Sequence, residues 1–285
     1  MRGCGCGDRD GVSSPELGVA HVSCLARQAK ILVEEAEENN LCVETVNGKW
    51  ARWYKCGLCE QQYHGVVLCA LGWACWKTYL GRPEEHWTRR YAMEMLGSGL
   101  SSVKHYEDAL PMQEAQLSLA RRHGASESSI LAMKRNISNT YTSSGRLELA
   151  LNMDQDIYYG RVKLDGEEHG NTLIAASNYA STLQCATRFE EVKELLRKII
   201  AVARRVLGKG DLTTLTASLN NATTLYEDPN ATLDDLREAA ETLEDAARIA
   251  RRVLGGAHPT ANRLSVNLRA SRAVLRAHET PPGSA

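Results

Sequence analysis

Six residues near the amino end carry the chemistry most readily read from this chain: Cys4 and Cys6, His21 and Cys24, Cys56 and Cys59. They fall into three pairs, Cys-x-Cys, His-x2-Cys and Cys-x2-Cys. Thiolates and imidazoles are the ligands zinc prefers, and a closed structural zinc site takes four of them. Two thiolates spaced as in Cys56-Gly57-Leu58-Cys59 grip one ion while backbone N–H groups turn in towards the sulfurs. Gly5 permits the sharp turn between Cys4 and Cys6. Six donors complete one site and leave half of another. Residues 1–65 hold few large apolar side chains. A structural zinc, worth on the order of 10–16 kcal/mol of apparent folding free energy, would offset that deficit. The competing reading makes these cysteines small buried hydrophobes.

The ligand pairs need elements to hold them. His21 and Cys24 lead into Leu25–Glu38, where Leu25, Ala29, Leu32, Val33 and Ala36 recur at helical spacing and Asn39-Asn40 ends the run. Taken together, the segments CGC, VAHVSCL and KCGLCEQQYHG resemble the later part of a RING-CH zinc finger, the RING variant with C4HC3 ligand order, over residues 4–65. The Cys-x-Cys, Ala20 before His21, Leu25 after Cys24 and Tyr63 after Cys59 carry the likeness. There are departures: 14 residues separate Cys6 from His21, 31 separate Cys24 from Cys56, and the family's first CxxC would lie ahead of Met1.

The resemblance implies a cross-brace in which Cys4, Cys6, Cys56 and Cys59 hold one zinc, with His21 and Cys24 as half of an incomplete second site. Cys42, His64, Cys69 and Cys75 are substitutes that no spacing recommends. It also implies a ubiquitin-conjugating enzyme as a partner and an E3 ubiquitin-protein ligase activity. The missing CxxC weighs against that activity, because the loop it anchors forms part of the conjugating-enzyme surface in RING-type domains.

Composition bounds the rest. The chain has 285 residues and a formal net charge of −1, so its overall field favours neither nucleic acid nor an anionic membrane. Eight of nine cysteines lie in residues 1–75 and all five tryptophans before residue 90, which indicates two regions built on different principles. The beginning, MRGCGCGDRDG, lacks the apolar core of a leader. The longest apolar run, Gly65–Trp76, has 12 residues, where about 17–25 are needed to cross a bilayer. A cytoplasmic, reducing location is the expectation, and there clustered cysteines read as metal ligands. Val66–Tyr79, apolar nearly all round with Trp73 and Trp76 and stopped by Gly81-Arg82-Pro83, predicts a buried joining helix.

From about residue 85 the sequence repeats itself at a step of 42: Leu131, Leu173 and Leu215; Asn136, Asn178 and Asn220; Gly124, Gly166 and Gly208. Arg146 and Arg188 keep the same step, as do Leu147 and Phe189. AlaArgArgValLeuGly recurs at 203–208 and 250–255, an interval of 47, so the last full repeat carries about five extra residues, placed most simply in the Glu227–Thr232 turn. Each unit reads as two helices, for example Leu173–Leu183 and then Phe189, Val192, Leu196, Ile199, Ala203 and Val206 in one stripe, with Gly208 as a C-cap. Neither helix buries its apolar face alone, so such units stack.

SLNNATTLY, RFEEVKELLRKIIAVARRVLG, GEEHGNTL and GAHPT resemble tetratricopeptide repeats of the kinesin-light-chain type. Units begin near Ser129, Asn171 and Leu212, a diverged one with HYEDAL precedes them, and a capping helix at about Thr260–Ala277 follows. The resemblance implies a concave groove that holds a protein or peptide ligand, with Asn136, Asn178 and Asn220 contacting its backbone. The alternative is that these asparagines bond between helices. Arg204, Arg205, Arg251 and Arg252 form either a basic stripe or solvated helix ends.

The expected fold is therefore mainly α: a tetratricopeptide-like helical solenoid, an α-α superhelix, with a small N-terminal zinc-binding module. Residues 1–84 form the incomplete RING-CH-like module and its joining helix, 85–278 the repeats, and 279–285 a disordered tail. The expected function is a protein–protein interaction scaffold, with a RING-CH-type ligase or its remnant as the alternative. No phosphate loop, HExxH or nucleophile elbow occurs, and no catalytic residue is assigned.

Overall fold

A computed structural model describes residues 21–58, 60–256 and 258–279. Among them the chain forms α-helices, a short 3-10 turn at Ala51–Trp53, and one isolated antiparallel bridge between Lys55 and Gln62. The chain divides into two compact units between Gly145 and Arg146. The first holds α1 (Val22–Glu38), α2 (Val43–Trp50), α3 (Gly65–Tyr79), α4 (Trp87–Ser102), α5 (Tyr106–Arg122) and α6 (Glu127–Ser143). The second holds α7 (Leu147–Asp165), α8 (Gly170–Cys185), α9 (Phe189–Val206), α10 (Leu212–Glu227), α11 (Leu233–Leu254) and α12 (Pro259–Glu279).

The repeat step reappears as repeated local chemistry. The first helix of each pair starts at a capping side chain. His86, Ser126, His169 and Asp211 accept from the backbone N–H of Thr88, Ser129, Asn171 and Thr213 at the starts of α4, α6, α8 and α10. Each such bond satisfies an N–H that the helix leaves without an internal partner. Three of the four turns inside pairs are three residues long and place their middle residue, Lys104, Gly145 or Thr187, at positive φ. A left-handed residue there ends the preceding helix.

Burial follows the predicted stripe of α9 except at its end, where Val206 is exposed. Val192, Leu196, Ile199 and Ala203 of α9 pack against Leu173, Ala176, Ala180 and Leu183 of α8. α12 closes the second unit by seating Ala261 and Leu264 on Leu243, Ala247 and Ala250 of α11. It runs through Glu279, two residues beyond the expected end of the capping helix, and residues 280–285 lie outside the described part.

The five extra residues of the last repeat do not all go into its turn. The connection 228–232 is two residues longer than 186–188, and α11 starts one turn earlier in the repeat register than α9 does. Thr232 and Asp235 form a capping box for that added turn. Asp228 anchors the longer connection: its buried carboxylate accepts from Lys193 Nζ at 2.5 Å and from the Asn230 N–H at 2.9 Å. The Lys193 bond holds the Asp228 carboxyl below its ordinary value. Its contribution to stability is therefore present above the usual aspartate range and lost as pH falls through the depressed value.

In the first unit α3 and α4 approach until backbone meets backbone. A Cβ on Gly72 would lie 2.7 Å from the Met95 carbonyl oxygen, and one on Gly99 would lie 2.8 Å from the Cys69 Cα. Only hydrogens fit at these crossings. α1 and the Trp50–Trp53 segment cover the other side of α3, with Ala29, Val33, Trp50, Trp53, Cys75 and Tyr79 in one cluster. The expectation that α3 is enclosed all round fails on one face, because Val66, Trp73 and Leu80 are exposed, Trp73 at 44%. These three sit seven residues apart, on the stripe turned away from both α1 and α4.

Replacing Gly99 with Val should destabilise the first unit by about 2 kcal/mol, since no neighbouring backbone can yield to the added carbons. Gly48 lies in α2 with open space around it, and Gly48→Ala should stabilise by about 0.5–1 kcal/mol. Denaturant melts of the two variants check the contrast, and a silent Gly99→Val would contradict the close crossing.

Candidate functional site

Two features gather functional side chains, both in the first unit. The first is a tight hairpin over residues 54–63. Tyr63 N–H donates to the Tyr54 carbonyl at 2.8 Å, Cys56 N–H to the Gln61 carbonyl at 2.9 Å, and Glu60 N–H to the Cys56 carbonyl at 3.0 Å. Leu58 N–H points at Cys56 Sγ, 3.4 Å away. Glu60 takes φ +57°, the left-handed conformation that closes the loop. Arg52 braces the outside, donating to the Cys56 carbonyl and pairing with Glu60 at 3.0 Å. The thiolate is the form of cysteine that binds metal.

Cys56 is buried beside Tyr63, Val67 and Leu71, with Val22 and Leu25 of α1 packed on the same cluster. The hairpin thus abuts the first turn of α1. His21 is the exposed N-cap residue of that helix and Cys24 is exposed on its first turn. Cys4, Cys6 and Cys59 lie outside the described residues. Among the described residues no three His, Cys, Asp or Glu side chains gather as a metal site. The proposed substitutes are dispersed. Cys42 caps α2 with its sulfur 3.2 Å from Thr45 Oγ1, His64 is exposed before α3, and burial pushes the thiols of Cys69 and Cys75 up, as for core cysteines.

The second feature is a cleft of about 720 Å3. Trp50 and Asn47 of α2, with Tyr54, Gln62 and Tyr63 of the hairpin, form one wall. Tyr91, Glu94, Met95 and Ser98 of α4 form the floor, with Leu68 of α3 beside them. Arg135 and Asn136 of α6 complete it. The Trp50 and Tyr91 rings lie 5.7 Å apart between centroids, and Trp87 stacks edge-on to both. The tryptophans that the sequence crowds together therefore have a place: Trp50, Trp53, Trp76 and Trp87 join the core beneath the cleft.

Glu94 is the charged centre of this floor. Burial raises its carboxyl above the ordinary value, opposed by hydrogen bonds from Asn136 and Gln116 and by the positive charge of Arg135. Asn136 Nδ2 donates to Glu94 Oε1 at 3.5 Å. Tyr54 is raised chiefly by burial and then by the charge of Glu94, which places its phenol near that carboxylate.

The three repeated asparagines have three different surroundings. Asn136 lines the cleft and bonds Glu94. Asn178 is half-buried, with no hydrogen bond from its side chain among the described residues. Asn220 is 5% exposed and donates to the Ser177 carbonyl of α8 at 3.3 Å. One arginine of each pair is engaged: Arg205 bonds Glu168 at 2.6 Å and Arg251 bonds Ser265 at 2.9 Å. Sequence reasoning missed Glu94, Tyr91 and Arg135. Glu94 lies one 42-residue step before Asn136, in the diverged unit, and that offset was the available signal.

Helix pairs with side-chain caps at a near-constant step can be compared with solved structures. The chain is similar to the crystal structure of a Podosopora anserina putative kinesin light chain with nearly identical TPR-like repeats: 20% identity, TM-score 0.51, covering 82% of this chain and 98% of that one. A singly substituted form of the same protein gives 20% identity and a TM-score of 0.52 over the same shares. BtubC (BKLC) from P. vanneervenii aligns at 11% identity and a TM-score of 0.49, covering 94% of this chain and 97% of that one. The fold is a tetratricopeptide-like helical repeat. No family model matches the chain, and no curated protein does. No helix among the described residues is long and apolar enough to cross a membrane.

Glu94 should cost stability near neutral pH. Its raised folded value means the native state holds the proton more tightly than the unfolded chain does. Stability is therefore lost as pH rises from the ordinary glutamate value through the raised one. Glu94→Gln should raise the melting temperature near neutral pH and do so less near about pH 4. Equal shifts at both would contradict the burial of this carboxylate.

Proposed function

We propose that the chain is a protein–protein interaction scaffold: a zinc-stabilised head, residues 1–84, joined to helical repeats, residues 85–278, that bind a peptide. The observation that carries the reading is the cleft in the first unit, where a repeat asparagine, further amides and an aromatic wall converge on one concavity. Clefts of about 300–1,000 Å3 with a few placed polar groups are the usual form of a ligand site. Asn136 and Asn178 are the repeat positions whose amides contact a peptide backbone. Asn220 serves the stacking of α10 on α8, since its amide is already engaged.

In the head, zinc is held by Cys4, Cys6, Cys56 and Cys59, and His21 with Cys24 supplies half of a second site. The hairpin supports this, because its Leu58 N–H is aimed at the Cys56 sulfur and its backbone closes tightly around that residue. The metal's role is structural: it ties the hairpin, which forms one wall of the cleft, to the amino-terminal segment.

Screening the full chain against a random peptide array and titrating the hits by calorimetry tests the scaffold. Asn136→Ala and Asn178→Ala should each weaken capture about fivefold, roughly one hydrogen bond, with helicity unchanged. Full affinity in both variants, or no captured peptide, would sink it. Metal analysis of protein purified without chelator should find about one zinc per chain, reduced to near none by Cys56→Ser. Zinc-free protein that is folded would remove the metal from the head.

A further inference from the structure

The cleft has a charge character that the peptide-binding reading leaves unspecified. Its floor carries a carboxylate, Glu94, with no cationic group of the described residues within ion-pair distance; Arg135 acts on it only at longer range. Aromatic side chains share that space: Trp50, Tyr54, Tyr63 and Tyr91 all line it. Trp50 is held rigidly by its contacts with Trp53, Tyr79 and Trp87, whereas Tyr91 is 42% exposed at the edge. The face of an aromatic ring is the negative pole of its quadrupole and attracts a cation over it. A partly desolvated carboxylate without an ion pair is unfavourable alone and gains most from an incoming positive charge. The ring faces and the carboxylate thus select the same ligand.

We propose that this cleft takes a cationic side chain, a lysine ammonium or an arginine guanidinium, presented by the bound peptide. The inference rests on the peptide-binding reading above and adds the identity of the anchor residue. In it Glu94 pairs with the charge, Tyr91 and Trp50 cover the stem and head, and Asn47, Gln62 and Asn136 bond the flanking backbone. Among the residues lining the cleft, Arg135 is the feature that opposes it. Its positive charge already acts on Glu94 and competes with the incoming cation.

The test uses the full chain and the peptides acetyl-Gly-Gly-X-Gly-Gly-amide, with X as arginine, lysine, citrulline or glutamate, followed by tryptophan fluorescence. N-acetylarginine amide alone is a fifth probe, read from the NMR shift of the Trp50 indole. The arginine and lysine peptides should bind about tenfold more tightly than the citrulline peptide. Glu94→Gln, which removes the charge at nearly the same shape, should cut that preference below about threefold. Tyr91→Ala should weaken the cationic peptides about fivefold and Tyr91→Phe should not.

Equal binding of arginine and citrulline peptides, a preference for glutamate, or a cation preference that survives Glu94→Gln would each overturn the inference and leave the peptide-binding reading standing. Binding of N-acetylarginine amide that none of the peptides improves would do the reverse. Silence from every probe would remove both.

Discussion

The architecture of the first unit depends on how closely α3 and α4 cross. At Gly72 and Gly99 a single added carbon would strike the opposing backbone. Such contact brings two helix axes nearer than branched side chains allow, and the interior then packs as densely as a crystal. It fixes α3 as a platform. One side takes α4; another takes α1 and the tryptophan-rich segment, whose Trp50 and Trp53 cover Tyr79 and Cys75. α1 and the tryptophan-rich segment are in this way joined through α3 to α4, and the cleft is lined by the hairpin, α2, α3, α4 and α6.

The repeat helices solve a different problem. Their apolar stripes are narrow and each pair is incomplete by itself, so stability comes from stacking, and polar groups caught in the stack must find partners. Several do so across neighbouring helices. Asn136 reaches back to Glu94, Asn220 to Ser177, and Thr182 donates to the buried Asp154 at 2.6 Å. The same asparagine position thereby serves two ends. Where the preceding helix offers a backbone carbonyl, the amide is absorbed into the stack. Where the stack opens into a cleft, the amide and its partner line it. Repeat identity in sequence therefore does not carry identity of role.

Much of the fold was legible in the residues. The 42-residue step, the stripe on α9, the positions of α1 and α3, and the helix after Thr260 all follow from apolar period, caps and stop signals, which are local. What escaped depended on packing. α3 looks enclosed because it is apolar on every face, yet Val66, Trp73 and Leu80 stay exposed, because two neighbours cannot cover a full cylinder. The longer last repeat placed some of its extra residues in helix rather than turn, because Thr232 and Asp235 offered a capping box just upstream of the expected start. The candidate site was half visible: Asn136 and Cys56 stand out by spacing, whereas Glu94 and Tyr91 look like ordinary surface of a diverged unit.

By itself the sequence determined which segments are helices, where they start and stop, and that they come as repeating pairs, because caps, glycines and apolar period act over a few residues. Only the tertiary structure decided which asparagine faces a cleft and which is spent in the stack. It alone put a carboxylate from α4 beneath rings from α2 and the hairpin. Those relations join residues more than 30 positions apart, which no local sequence signal reaches.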